Sequence, residues 1–104
     1  MSVVFEVTFK AKDDTYDQLH ATLTAILPDT AKFAGAELIS CSVDQADKTF
    51  YVHEVWGSVE SQQAYVAWRQ ERGDIDKLVA LLREAPVFEP VSYTHLTLPT
   101  TPYV

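Results

Sequence analysis

A chain of 104 residues with 15 acidic against 8 basic side chains carries a formal charge of -7, which repels phosphate backbones and anionic lipid, so nucleic acid and membrane surfaces are disfavoured as partners. Its 47% apolar and 12% aromatic content is enough for one packed domain. No run approaches the roughly 18 to 20 apolar residues of a bilayer span, and the N-terminus has neither a basic start nor a long apolar segment, so a cytoplasmic protein is expected.

Cys41 is the single cysteine, which rules out an intramolecular disulfide and a thiolate zinc cage. Its place in an apolar run predicts a buried, inert thiol. What remains as a partner is an apolar small molecule or a second protein chain.

Residues 3 to 11 alternate, with Val3, Phe5, Val7 and Phe9 on one side and Val4, Glu6, Thr8 and Lys10 on the other, which is strand spacing. Thr15 with Gln18 fits a capping box opening a helix, and Tyr16, Leu19, Leu23, Ile26 and Leu27 make its apolar stripe. Pro28 predicts that the helix ends or kinks there, and Gly35 sits where a left-handed residue is needed for the chain to turn back. Leu38 to Val43 reads as a second strand with Ile39, Cys41 and Val43 on one face, followed by the polar turn 44 to 48.

Residues 49 to 56 form the most loaded stretch of the chain. Phe50, Val52, Glu54 and Trp56 share one face of this third strand, and Tyr51, His53 and Val55 share the other. Both faces are largely apolar, unlike a half-solvated strand. Helices of the same chain can cover one face, so the other calls for a second cover, most simply a second subunit with Tyr51, His53 and Val55 at the dimer seam.

Ser58 predicts an N-cap for a helix reaching about Arg72, with Ser61, Ala64, Tyr65 and Trp68 sharing a face. Gly73 ends it. Asp74 predicts the cap of a last helix with Ile75, Leu78, Val79 and Leu82 in its stripe, stopped by Pro86, and Val87 to Tyr93 has room for a fourth strand that Pro90 marks as an edge. The order is the split βαβ pair of a ferredoxin-like α+β domain, an antiparallel sheet with helices on one face.

Residues 1 to 91 are expected to form this domain. From Ser92 to Val104 there is no charged residue and no periodicity, and Ser92-Tyr93-Thr94-His95-Leu96-Thr97-Leu98-Pro99-Thr100 resembles translated adapter or vector sequence, so this stretch, with His95, is expected to lie outside the fold and outside the function.

In this order of elements, Val52-His53-Glu54-Val55-Trp56-Gly57-Ser58 is similar to the E-x-W-x-S pattern of antibiotic biosynthesis monooxygenase domains, with Tyr65-Val66-Ala67-Trp68-Arg69 downstream. The resemblance covers residues 3 to about 91. It implies a dimeric α/β barrel and a cofactor-free, metal-free oxidation of a small aromatic or quinol-like molecule by molecular oxygen. The chain also departs from that family. Of the Glu-x-Gly found in many members only Gly35 remains, in Phe33-Ala34-Gly35. The helical histidine nine or ten residues after the tryptophan is replaced by Tyr65 and Val66, and there is no asparagine in the chain. Haem degradation and asparagine-assisted chemistry are therefore disfavoured.

Such an oxidation needs a pocket for an aromatic ring, a proton acceptor and a setting that stabilises the resulting anion. Glu54, desolvated among Phe50, Val52 and Trp56, is the first candidate base, although it could instead form a structural ion pair with Arg69 or a lysine. His20, near the stripe of the first helix, is the second, and is expected to border the same pocket. Trp56, Tyr65, Trp68 and Arg69 are candidate substrate contacts, with Tyr65 a possible hydrogen-bond donor to a phenolate. Each also has a plain packing role open to it. Rival readings are a non-catalytic small-ligand binder on the same fold, or an isomerase or decarboxylase, because fold alone does not fix function.

Overall fold

The computed structural model describes residues 2–91, and the stretch expected to lie outside the fold, 92 to 104, falls outside the described residues. Strand β1 (Val3–Lys10) is flanked by β3 (Thr49–Trp56) and β4 (Val87–Val91), and β2 (Ala36–Asp44) pairs with the far side of β3, giving the order β2-β3-β1-β4 with every pairing antiparallel. Helices α1 (Tyr16–Ala31), α2 (Val59–Glu71) and α3 (Asp74–Val79) complete the ferredoxin-like α+β arrangement read from the sequence.

The alternation in β1 sets the layers. Phe5, Val7 and Phe9 are buried with Phe50, Val52, Glu54 and Trp56 of β3, and Leu19 and Leu23 of α1 close over them. Each of these two leucines contributes about 2 kcal/mol by leaving water. A second cluster joins Phe5, Trp56 and Tyr65, with Phe33 and Trp68 packed against it.

Several local expectations change. Thr15 does not close a capping box. Its hydroxyl donates to the Leu81 carbonyl at 2.6 Å and accepts from the Lys12 N–H at 3.0 Å, tying the start of α1 to the segment after α3. Helix α1 runs through Pro28 to Ala31. The carbonyl deprived of its donor belongs to Thr24, on the exposed side where water can serve it, while Thr30 fastens the last turn inward.

The last helix is shorter than its stripe predicts. Past Val79 the chain is held by an isolated bridge between Ala11 and Leu82 rather than by another helical turn. Gly73, at φ 79°, both ends α2 and precedes α3, so Asp74 is the first residue of α3 rather than its cap.

Cys41 is exposed, contrary to the expectation of a buried thiol. It lies on the edge strand β2, whose helix-side residues extend beyond the cover of α1. Partial desolvation still pushes its pKa upward.

Among the described residues the other sheet face carries no helix. Val55 stands between Leu38 and Val4, His53 between Ser40 and Glu6, and Tyr51 between Ser42 and Thr8. Leu38 is 55% and Tyr51 36% exposed.

Candidate functional site

Between the sheet and the helices lies a cavity lined by Val7 and Phe9 of β1, Val52 and Glu54 of β3, Leu23, Ile26 and Leu27 of α1, Tyr65, Val66 and Arg69 of α2, Ile75, Leu78 and Val79 of α3, and Pro86 and Phe88. Its volume is about 50 Å³. At roughly 10 to 15 Å³ per water this holds a few solvent molecules, whereas a benzene-sized guest takes a cavity of roughly 150 Å³. Val79 and Phe88, each 43% exposed, are the most exposed apolar residues of the lining.

Glu54 is the carboxylate of this cavity because the two-residue period of β3 turns it inward with Val52 and Trp56. The residue is 7% exposed. Its Oε1 accepts the Trp56 indole N–H at 2.9 Å. Among the described residues the other oxygen makes no hydrogen bond. Among the described residues no buried side-chain polar atom lacks a partner, so that oxygen is open to the cavity. Desolvation pushes the Glu54 pKa up, and the Trp56 hydrogen bond opposes part of the rise. The structural ion pair is not formed: among the described residues no basic group lies within the 4.0 Å of an ion pair with Glu54.

Arg69 is spoken for elsewhere. It is 4% exposed and reaches across the end of α1. Nε donates to Tyr65 Oη at 2.8 Å, Nη1 to Asp74 Oδ2 at 2.9 Å, and Nη2 to the Ile26 carbonyl at 3.3 Å and Thr30 Oγ1 at 3.4 Å. Burial acts to lower its pKa, and the bonds to Tyr65 and Asp74 outweigh that and raise it. Asp74 also accepts from Arg72 Nε at 2.9 Å. The hydrogen bond from Arg69 leads the causes that hold the Asp74 carboxyl below its usual range. The Tyr65 hydroxyl lies 2.5 Å from Thr30 Oγ1, so its wall role is carried by the ring.

Of the residues singled out in the sequence, Glu54, Tyr65 and Arg69 meet at this cavity. His20 does not. It is exposed on α1 and lines a separate groove with Cys41, Val43 and Phe50, because it projects from α1 toward β2 rather than under the sheet. Trp56 is fully buried behind Glu54 and does not line the cavity. Trp68 is half-buried outside it, with the Arg69 and Arg72 guanidinium carbons 4.7 and 4.9 Å from its ring centre. Tyr51, His53 and Val55 all lie on the open sheet face, as their spacing predicted.

The inner face of α2 is Gln62, Tyr65 and Arg69 rather than Ser61, Ala64, Tyr65 and Trp68. The sequence reading gave Thr30 no role at the site and Asp74 only that of a helix cap. The available signals were a lone hydroxyl continuing the apolar stripe of α1 and an acid placed just beyond the glycine that reverses the chain after Arg69. Among the described residues no three His, Cys, Asp or Glu side chains converge in a way that could hold a metal ion, and no helix is long and apolar enough to cross a membrane.

No protein-family profile and no curated protein sequence matches the chain. Solved structures do match its fold. A proposed antibiotic biosynthesis monooxygenase from Deinococcus radiodurans is similar at a TM-score of 0.80 and 19% identity, over 95% of this chain and 99% of that one. A protein of unknown function from Nitrosomonas europaea gives 0.76 and 20%, over 96% of each chain. An antibiotic biosynthesis monooxygenase gives 0.77 and 16%, over 95% of this chain and all of the other. At such identities the likeness is one of fold, and it extends over nearly the whole length of these neighbours.

Proposed function

We propose that this protein is a member of the antibiotic biosynthesis monooxygenase family and oxidises a small aromatic or quinol-like metabolite with molecular oxygen, with Glu54 as the base. The observation that carries this reading is a carboxylate inside an apolar cavity, anchored through one oxygen by Trp56 and open through the other. Burial moves its pKa toward neutrality, where a carboxylate is a more effective base. It takes a proton from the substrate, whose electron-rich anion passes electrons to oxygen. The substrate supplies all four electrons and two hydrogens: one oxygen atom bonds to a substrate carbon, and the other leaves as water with those two hydrogens. Tyr65 supplies an aromatic wall, and Arg69 holds Tyr65 in place.

On this reading two copies cover each other's open sheet faces through Tyr51, His53 and Val55, in the cytoplasm, and the reaction draws on no cofactor. His20, on another groove, has no part in the proton transfer. A ligand-binding role without catalysis is the second reading, favoured by the predominantly apolar lining of the cavity. Oxygen consumption by the purified protein with a panel of hydroquinones and anthrones separates the two. Substrate-dependent uptake is expected, and no turnover of any panel member would leave the binder.

A further inference from the structure

We propose that Thr30 sets the hydrogen-bond polarity of the Glu54 cavity by holding the Tyr65 proton, so that the cavity offers the Glu54 acceptor without a tyrosine donor beside it and selects a neutral donor over an anion. The inference rests on the reading of this cavity as the ligand site.

The direction of the network follows from Arg69, which can only donate. Its Nε–H points to Tyr65 Oη at 2.8 Å, so the tyrosine oxygen is an acceptor there. Tyr65 has one proton, and Thr30 Oγ1 lies 2.5 Å away. Thr30 in turn reaches the Ile26 carbonyl, one helical turn back, at 3.2 Å. The arrangement that leaves no proton without an acceptor therefore runs from Arg69 to Tyr65, to Thr30, to Ile26. The reverse arrangement gives up the carbonyl bond and leaves the Tyr65 proton without an acceptor among the described residues. Thr30 and Tyr65 are both buried, so an unmet proton there is costly.

Of the five Arg69 N–H groups, only one Nη1–H is without an acceptor among the described residues. Its Nε, its two Nη2 bonds and one Nη1 bond already have acceptors, and Asp74 answers its charge. The remaining polar group of the lining is Glu54, whose free oxygen accepts. A phenolic or similar O–H gains a charge-assisted hydrogen bond there. An ether of the same shape gains none, and a carboxylate meets a second carboxylate at low dielectric.

The test is an amide chemical-shift titration of the whole protein at neutral pH with phenol, anisole and benzoate. Wild type is expected to bind phenol about tenfold more tightly than anisole and to reject benzoate. Thr30→Val keeps the shape but removes the acceptor, freeing the Tyr65 proton, and is expected to improve anisole binding about threefold while Thr30→Ser keeps the wild-type preference. Equal binding of phenol and anisole by wild type, or benzoate bound as well as phenol, would overturn this inference and leave the cavity a ligand site. An unchanged preference in Thr30→Val would remove Thr30 from it. Binding of none of the three at millimolar concentration would overturn both this inference and the functional reading. The wild-type comparison stands even if Thr30→Val does not fold.

Discussion

The Trp56 indole N–H donates to Glu54 Oε1 at 2.9 Å, and these two side chains, two residues apart on one face of β3, divide the labour of the site. The indole is fully buried and fixes the carboxylate, while the carboxylate alone faces the cavity. Trp56 is thus a positioning residue.

The pair gives a direct optical readout. Trp68→Phe leaves Trp56 as the only tryptophan. Its emission is expected to change in one step with pH, at a midpoint above that of an ordinary glutamate because burial raises the Glu54 pKa. The step should vanish in Trp68→Phe/Glu54→Gln. A flat titration of the single-tryptophan protein would deny the coupling.

Glu54 and Asp74 affect stability with opposite sign. The folded-state pKa of Glu54 is raised, so its contribution is fully present below the unfolded value and is lost as pH rises through the folded one. Urea titrations should therefore find Glu54→Gln gaining on wild type as pH increases. Asp74 is depressed, chiefly by the Arg69 hydrogen bond, so its contribution is present above the unfolded pKa and lost as pH falls through the folded one. Asp74→Ala should cost about 3 kcal/mol at neutral pH, because it strips a buried guanidinium of its counterion, and should flatten the acid limb of the stability curve.

Gly35 is a second sensitive point. Its φ is +94°, and a Cβ there would sit on the Ser61 side chain, next to the cap that Ser58 gives α2. Its carbonyl also accepts the Gly57 N–H at 2.8 Å. Gly35→Ala should cost about 2 kcal/mol or more in the same titrations, from backbone strain plus displacement of the α2 start. A neutral effect would show that this turn relaxes freely.

The uncovered sheet face predicts association. Sedimentation equilibrium at micromolar concentration should give a dimer. Val55→Asp, placing charge between Leu38 and Val4, should give a monomer with unchanged far-ultraviolet dichroism. A wild-type monomer would contradict the proposed seam.

The alternations of β1 and β3 made the sheet and its two faces legible in the sequence, and with them the inward pairing of Glu54 and Trp56. Period alone reports which side a residue takes, not how far an element's cover extends. That is why Cys41, on the helix side of an edge strand, was expected inside and is exposed. His20 has near-stripe spacing, yet it lines only the groove beside β2, although Leu23 and Leu27 of α1 line both that groove and the Glu54 cavity. Arg69 was expected to contact substrate or to pair with Glu54, whereas its partners Thr30, Tyr65 and Asp74 converge from the end of α1 and from both sides of the Gly73 reversal. Such a network depends on tertiary placement and leaves only isolated polar residues on apolar stripes as its trace.

The central claim is that Glu54 is the base. Oxygen-uptake rates for wild type, Glu54→Gln and His20→Ala, measured with whichever hydroquinone or anthrone the wild type turns over, test it most directly. Glu54→Gln should lose about a hundredfold in kcat/KM, the lower range for loss of a general base, with His20→Ala near wild type. Uptake by Glu54→Gln at the wild-type rate would contradict the account.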